Sequence, residues 1–282
     1  GGNLYIIDPP FTGTARSFEF NFTTGTWQFG SGHTIYFGDG LSTNTSTNTS
    51  GFQFDNYVGN LNTQSMIGSL VVNGGNAANR WTTLTSSSAN GSYVKGNLTI
   101  NTGSEMRDVS LGGNLVIAGN IINNGTLTNA NTTITFGDFL GSTSIAAVNA
   151  QTISGSGTFR NSTTVVTANF LNFIVNNINA SGVTFSTGIL TPTVSGTLTI
   201  TNGRLNADGL TLTGTSAQTI ALTAVTSSIN VTNLTLNNSL GATLSGSGFL
   251  NVTGVYTNTL GTLTAGGRLT LKSTASGTAR VA

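Results

Sequence analysis

The sequence predicts an all-β protein folded as a right-handed parallel β-helix. Short runs alternate aliphatic residues with threonine, as in 197–201, where Leu198 and Ile200 alternate with threonines. Residues that favour helices are scarce, because glycine, threonine and asparagine dominate the chain. Related motifs also recur at intervals expected of successive coils.

The segment 196–215 shows the alternation most clearly. Its three runs are separated by glycine turns at Asn202-Gly203 and Asp208-Gly209. Successive side chains of a strand point to opposite faces, so Leu210 and Leu212 face the interior while their threonine neighbours face solvent. Each run is short, as expected for one side of a solenoid coil.

Several short motifs return along the chain. The recurring motifs are Gly96-Asn97-Leu98-Thr99-Ile100 with Gly113-Asn114-Leu115-Val116-Ile117; Gly125-Thr126-Leu127-Thr128 with the same motif at 196 and 261; and Ala150-Gln151-Thr152-Ile153 with Ala217-Gln218-Thr219-Ile220. The spacing predicts long repeats of three coils, each of about 20 to 22 residues. About thirteen such coils would form a rod on the order of 60 Å long.

An antiparallel β-sandwich or meander is the alternative fold. Asn-Gly pairs at 73–74, 90–91, 124–125 and 202–203 are strong signals for two-residue hairpins. The same pairs also suit bends between the faces of a β-helix, because asparagine and glycine tolerate positive φ. Stacked bends of that kind would let asparagine and threonine side chains form ladders along the axis. The shortness of the runs favours the parallel fold.

Two regions differ in composition. Residues 1–92 form an aromatic-richer β region, a cap or first coils with long loops, since 12 of the 22 aromatic residues lie in the first 60. Phe18, Phe20 and Phe22 alternate, as do Phe52 and Phe54, which indicates bulky inward residues or an aromatic platform for sugar rings. Residues 93–282 are predicted to form a repetitive solenoid.

Composition excludes several classes of function. Charged residues make up 6% of the chain and the net charge is +1, so the electrostatic footprint of nucleic-acid binding is missing. Cysteine is absent, which excludes disulfides and cysteine metal sites. No apolar run is long enough to predict a membrane span. The N-terminal residues lack the pattern of a signal peptide, so export requires a chain that begins after processing or is a segment of a longer protein.

Residues that could carry catalysis are sparse. His33 has no partner in metal-ligand spacing and is predicted to be a structural or surface histidine. Glu105 and Asp108 are close in sequence, but Arg107 lies between them, which indicates a solvated, partly neutralised turn rather than a catalytic pair. The eight acidic residues are Asp8, Glu19, Asp39, Asp55, Glu105, Asp108, Asp138 and Asp208. We therefore predict no catalytic residues, no cofactor and no enzyme activity.

Three further patterns each have a structural and a functional interpretation. Asp39 and Asp138 follow Phe-Gly and are expected to satisfy turn amides rather than to bind calcium, so no metal site is predicted. Arg160, Arg204 and Arg268 follow strands or glycine turns, which suggests related positions and an edge charge that discourages sheet pairing. Outward threonines, as in 197–201 and 211–213, would suit ice binding, but other residues interrupt the array between coils.

The C-terminal segment Gly261–Ala282, GTLTAGGRLTLKSTASGTARVA, resembles a segment that recurs in very large adhesin-like surface proteins of the Bacteroidetes. The upstream Gly-Asn-Leu-x-Ile and Asn-Asn-Gly-Thr-Leu-Thr runs are similar as well, so the resemblance covers roughly residues 93–282. Many proteins of that group are exported by the type IX secretion system and some serve gliding motility. The resemblance implies an extracellular, cell-surface location and the secretion machinery as a partner.

These observations lead to one expected function and one alternative. The expected function is a non-enzymatic structural or adhesive module, which displays a neutral Thr/Asn/Ser surface rigidly for multivalent contacts. The alternative is a β-helix protein that binds or degrades polysaccharide. The sequence does not identify the ligand-binding residues.

Overall fold

The computed structural model describes residues 2–6, 18–22, 32–38, 53–58, 66–73, 81–86, 92–108, 114–130, 133–140, 143–162, 164–188, 190–275 and 277–282. These residues form strands joined by short turns, and none of them is helical. The strands are β1 (Leu4–Ile6), β2 (Phe18–Phe22), β3 (Thr34–Phe37), β4 (Gln53–Val58), β5 (Met66–Ile67), β6 (Ser69–Val72), β7 (Trp81–Ser86), β8 (Ser92–Val94), β9 (Leu98–Ile100), β10 (Glu105–Asp108), β11 (Asn114–Ile117), β12 (Ile121–Asn123), β13 (Thr126–Asn129), β14 (Thr133–Phe136), β15 (Asp138–Leu140), β16 (Thr143–Ile145), β17 (Gln151–Ser154), β18 (Thr158–Arg160), β19 (Asn172–Asn176), β20 (Val183–Phe185), β21 (Thr193–Val194), β22 (Leu198–Asn202), β23 (Arg204–Thr213), β24 (Gln218–Leu222), β25 (Ser228–Asn237), β26 (Ala242–Gly246), β27 (Phe249–Val252), β28 (Val255–Leu260), β29 (Leu263–Thr264), β30 (Leu269–Leu271) and β31 (Arg280–Val281).

Three parallel sheets wind around a common interior. Face A has the order β1-β3-β6-β9-β12-β17-β20-β23-β25-β27-β30, and face B has the order β18-β13-β10-β7-β4-β2. Face C has the order β29-β26-β24-β22-β19-β14-β11-β8-β5. The chain visits A, B and C in turn, so each strand pairs with its counterpart one coil later. The predicted all-β parallel β-helix is confirmed, and the antiparallel sandwich or meander is wrong.

In later coils, two sides of the coil are formed by one continuous strand. β23 and β25 each have ten residues, and their second halves take the position that face B holds in earlier coils. There they pair with β21 and β28. Antiparallel pairing among the described residues is confined to the β15–β16 hairpin and an isolated bridge near the C-terminus.

The interior is built from one column of inward side chains per strand position. On face A, Leu98 lies opposite Ile121 and Ile121 opposite Ile153, and all three are almost fully buried. Each side chain therefore packs on its counterparts one coil away, as stacked repeats require. In the middle of the molecule the aliphatic columns give way to phenylalanines, with Phe170 in edge contact with Phe173 at 5.0 Å and with Phe185 at 6.0 Å between ring centroids.

Coil length varies more than the sequence repeats indicated. The coil that joins Ile121 to its partner Ile153 is much longer than expected, whereas the coil that joins Leu250 to its partner Leu269 is slightly shorter. Face A has eleven strands in the described part of the chain, so the expected thirteen coils are too many. Ten steps of strand spacing make a rod of roughly 50 Å.

The sequence motifs mark faces of the coil rather than whole coils. Gly96-Asn97 precedes β9 on face A, Gly125 precedes β13 on face B, and Gly196 precedes β22 on face C. The repeat that joins Gln151 to Gln218 likewise links face A to face C. The predicted long repeat of three equal coils is therefore wrong, because long coils in the middle shift the same motif onto a different face.

Corners between faces explain the Gly-Asn pairs. Asn97 Oδ1 accepts a hydrogen bond from the backbone N–H of Asn120 at 2.9 Å, and Asn120 Oδ1 accepts one from Thr152 at 2.8 Å. A Cβ on Gly119 would collide with the carbonyl of Gly96 one coil earlier. Glycine is needed for the close approach and asparagine for the unpaired N–H, so the Gly-Asn pair fixes the corner. The Asn-Gly pairs at 124–125 and 202–203 likewise connect strands of different faces and form no hairpin.

Candidate functional site

A column of exposed threonines runs along face C of the C-terminal coils. Thr219 lies opposite Thr243, and Thr243 lies opposite Thr264. The pairing of Leu198 with Ile220 places Thr197 at the head of the same column. All four threonines are exposed, and none of β22, β24, β26 and β29 contains a charged residue. Identical hydroxyls thus repeat at the strand spacing of about 4.8 Å.

The neighbouring column on face C does not keep threonine. Thr199 lies opposite Ala221, which in turn lies opposite Ser245. The outward surface is therefore one regular column beside a mixed one, not the two-dimensional threonine array that ice binding calls for. The T-x-T runs within strands are visible in the sequence, but the column is not. Which threonines lie opposite each other depends on the number of residues in each coil.

An asparagine ladder occupies the outward side of face A. Asn230 Nδ2 donates to Asn206 Oδ1 at 3.0 Å, and Asn251 Nδ2 donates to Asn230 Oδ1 at 2.9 Å. Asn206 Nδ2 continues the ladder by donating to the Ser181 carbonyl at 2.8 Å. Because each amide is held by its neighbour, the ladder presents a fixed polar surface. Asparagine ladders were predicted at the bends, whereas this one lies within strands of face A.

Two buried amide pairs stabilise the interior corners. Asn177 Nδ2 donates to Gln151 Oε1 at 2.8 Å, and Asn238 Nδ2 donates to Gln218 Oε1 at 2.9 Å. Both glutamines donate to carbonyls of the preceding coil. These amides are inward-facing and nearly inaccessible, so their role is structural.

Glu105 lies in an ion-pair cluster on face B. Arg107 donates from Nε and Nη2 to the two carboxylate oxygens at 3.0 and 3.2 Å, Thr128 donates at 2.8 Å, and Arg160 Nη2 is 3.4 Å away. Burial opposes ionisation, but these bonds and charges outweigh it and hold the pKa of Glu105 below its usual value. The predicted turn is the strand β10, and the partial neutralisation by Arg107 is confirmed.

Asp138 anchors the β15–β16 hairpin to face C. Lys95 Nζ lies 2.7 and 2.8 Å from its two carboxylate oxygens, Tyr93 Oη donates to Oδ1, and the Phe139 N–H donates to Oδ1 at 2.8 Å. Burial raises the pKa of the Asp138 carboxyl, but these donors more than offset it and the pKa is lowered. Burial and the adjacent carboxylate raise the pKa of Tyr93. The aspartate accepts a local amide as predicted, although it begins a strand instead of lying in a turn.

The three arginines do not share one position. Arg204 and Arg268 belong to the same outward row of face A, because Arg204 pairs with Ser228, Ser228 with Phe249, and Phe249 precedes the Leu250–Leu269 pair. Arg160 instead lies on face B beside Glu105. The expected equivalence of all three is wrong, because coils of unequal length separate them.

Other predicted site residues have simpler outcomes. His33 is half-buried, precedes β3, and its Nδ1 has no hydrogen-bond partner within the described part of the chain. Asp8 and Asp39 lie outside the described residues, as do the side chains of Glu19, Asp55 and Asp108. No three histidine, aspartate or glutamate side chains come together as metal ligands in the part of the chain that the structure describes.

The aromatic platform for sugar rings finds little support in the described side chains. Tyr5 and Tyr36 stack with ring centroids 4.6 Å apart and an interplanar angle of 12°. Because the two residues are paired across neighbouring strands, each ring covers one face of the other. Phe37 points inward and is fully buried. Phe52 and the side chains of Phe18, Phe20, Phe22 and Phe54 lie outside the described residues.

None of the described residues forms a helix long and apolar enough to cross a membrane. The chain matches no protein-family model, no curated protein and no solved structure. The geometry of the molecule itself must therefore support any assignment of function.

Proposed function

We propose that this protein is a non-enzymatic structural and adhesive module of an exported bacterial cell-surface protein. The observation that carries the proposal is the threonine column on the C-terminal part of face C, whose strands β22, β24, β26 and β29 contain no charged residue. A surface of regularly spaced hydroxyls forms many equivalent weak contacts with a polar surface, and such contacts add up only when their scaffold keeps them in place.

The scaffold is suited to this role because its corners are fixed between coils. Corner asparagines such as Asn97 bind the next coil through backbone amides, and the buried pairs at Gln151 and Gln218 tie the interior to the preceding coil. The stacked strands therefore form a stiff rod. Stiffness reduces the entropy lost when several contacts form together.

The state of the described carboxylates supports a non-enzymatic role. Glu105 and Asp138 lie on different faces and are engaged in ion pairs that lower their pKa values. A polysaccharide hydrolase needs two carboxyl groups that flank one bond, with one of them kept protonated by a raised pKa. Neither of these two groups meets that description.

The location and partners rest on the resemblance of residues 261–282 to adhesin-like surface proteins of the Bacteroidetes. That resemblance supports export, with type IX secretion machinery as the partner and the outer cell surface as the destination. Protease treatment of intact producing cells tests the location. Loss of the protein from intact cells is expected, and full protection until the cells are lysed would contradict it.

Adhesion is tested by the retention of protein-coated beads under flow on glass carrying neutral polysaccharide and on hydroxyl-terminated monolayers. The double variant T219K/T243K places two charges in the column without touching the core, and we expect it to reduce retention severalfold. The matched control T211K/T235K places the same charges on the second halves of β23 and β25. Equal retention of both variants and the parent would remove face C from the proposal.

Polysaccharide binding is the second candidate function. A polar groove beside Asp208 favours it over polysaccharide degradation, since the groove has a single carboxylate among its lining residues.

A further inference from the structure

Asp208 differs from the other carboxylates whose side chains the structure describes. It is the only acidic residue after Asp138 in the sequence, and it is exposed. Within the described part of the chain it forms no ion pair, in contrast to Glu105 and Asp138. One carboxylate oxygen, Oδ2, accepts the backbone N–H of Gly188 at 2.9 Å. The other oxygen accepts no hydrogen bond from the described residues.

A groove runs past this carboxylate at the bend of β23. Depressions of about 280 and 230 Å³ adjoin each other, and Asp208 lines both of them. One wall is the asparagine ladder on face A. The other is an overhanging segment, residues 186–188 and 190–192, which approaches so closely that a Cβ on Gly209 would lie 2.9 Å from Thr191 Cγ2. Glycine at 209 thus allows the overhang to sit above the bend.

The groove is neutral apart from Asp208, and much of its polar lining is fixed. Asn206 and Asn230 are held in the ladder, so they keep one orientation. Thr187 and Thr232 are exposed and their hydroxyls have no hydrogen-bond partner among the described residues. Ala207 is half-buried and contributes a small apolar surface between these polar groups, whereas Val231 behind it is buried in the core. The result is an open carboxylate oxygen and two free hydroxyls above a partly apolar floor.

We infer that this groove binds a neutral saccharide chain. Sugar hydroxyls would donate to the open oxygen of Asp208 and exchange hydrogen bonds with Thr187 and Thr232, while C–H groups of the ring would contact Ala207. Calcium requires six to eight oxygen ligands, which one carboxylate does not supply. The carboxylate repels an anionic chain. The inference rests on the proposed adhesive function and specifies the class of ligand that this groove binds.

The groove is at the small end of ligand sites, so we expect a dissociation constant on the order of 1 mM. The test is a titration of the ¹⁵N-labelled full chain, followed by TROSY spectra, with cellohexaose, xylohexaose and laminarihexaose as probes. Hexagalacturonate and calcium chloride serve as charged comparisons. At least one neutral hexaose is expected to shift the amides of Gly188, Asp208 and Thr232.

Substitutions separate the contacts from the fold. D208A is expected to weaken binding about tenfold and T232V a few fold, because each removes one hydrogen-bonding group. T235V is the matched control, since Thr235 is an outward threonine of the same strand outside the groove. Its affinity should equal that of the parent.

Three results would overturn the inference. They are the absence of shifts at these amides with all three neutral hexaoses at about 10 mM, stronger shifts with hexagalacturonate or calcium, and equal loss of affinity in T235V. The bead-retention assay reports on face C, so loss of groove binding with intact retention would refute the saccharide site alone. Loss of retention with intact groove binding would refute the adhesive role of face C alone.

Discussion

The coils between Ile121 and Phe185 and those between Leu205 and Leu271 share the same inward columns but differ in length and in core composition. The first group has long coils, a hairpin and a phenylalanine cluster. The second has coils that shorten toward the C-terminus and a mainly aliphatic core. Longer coils need larger side chains to fill the interior, and their excursions need extra anchors such as Lys95–Asp138.

The largest expected effect separates the two kinds of core. Phe173 lies 5.5 Å from Phe136, 5.0 Å from Phe170 and 5.9 Å from Phe185 between ring centroids, and it is buried. F173A should lower the free energy of unfolding by about 3–5 kcal/mol, because the cavity cannot collapse within a stacked cluster. Urea denaturation monitored by circular dichroism measures the change.

Phe249 provides the matched control for that substitution. It lies on the outward side of β27 in the short coils and is 45% exposed. F249A should change the free energy of unfolding by about 0.5 kcal/mol or less. Similar losses for both variants would mean that the aromatic cluster does not fill the long coils in the way described.

Both regions contain a buried amide pair, and disrupting the pair should cost the same free energy of unfolding in each region. N177A leaves Gln151 without its partner, and N238A does the same to Gln218. Each variant is expected to lose about 2–3 kcal/mol, since a buried glutamine Oε1 left without its donor adds to the lost hydrogen bonds. The exposed neighbour substitution T219A should be nearly neutral. A large difference between N177A and N238A would break the equivalence of the two corners.

Acid should weaken the coils that contain Glu105 and Asp138 before it weakens the C-terminal coils. The folded-state pKa values of Glu105 and Asp138 lie below their ordinary values, so their stabilising effect is present above the unfolded pKa of about 4 and is lost as pH falls through the folded values. We expect the urea midpoint to fall between about pH 5 and pH 2 in the parent. It should fall less in the double variant E105Q/D138N.

The smallest expected effect comes from the hairpin anchor at neutral pH. K95M removes the ion pair between Lys95 and Asp138. The Lys95 side chain is 32% exposed and that of Asp138 is 20% exposed, so the loss of global stability should not exceed about 1 kcal/mol. Hydrogen exchange of the β15–β16 amides should accelerate more than that of β24 and β26. Uniform acceleration would show that Lys95 supports the whole rod and not the hairpin.

The alternation in β22 and the paucity of helix formers predicted an all-β chain, and the short runs with recurring motifs predicted the parallel β-helix. The partners of Gln151, Phe173 and Glu105 could not be predicted, because they depend on how many residues each coil contains. A hairpin or long turn in one coil shifts every later contact. Arg107 is the exception among the partners of Glu105, because its neutralising charge was predicted from closeness in sequence. The strand that aligns the two side chains for a bidentate bond, and the approach of Arg160, were not predicted.

The motif that opens each face has a consequence for how this architecture changes over time. One turn and one strand form the unit that repeats, and the same unit occurs on faces A, B and C. Gain or loss of a single unit would rotate the downstream chain by one side of the coil and still return aliphatic residues to the interior.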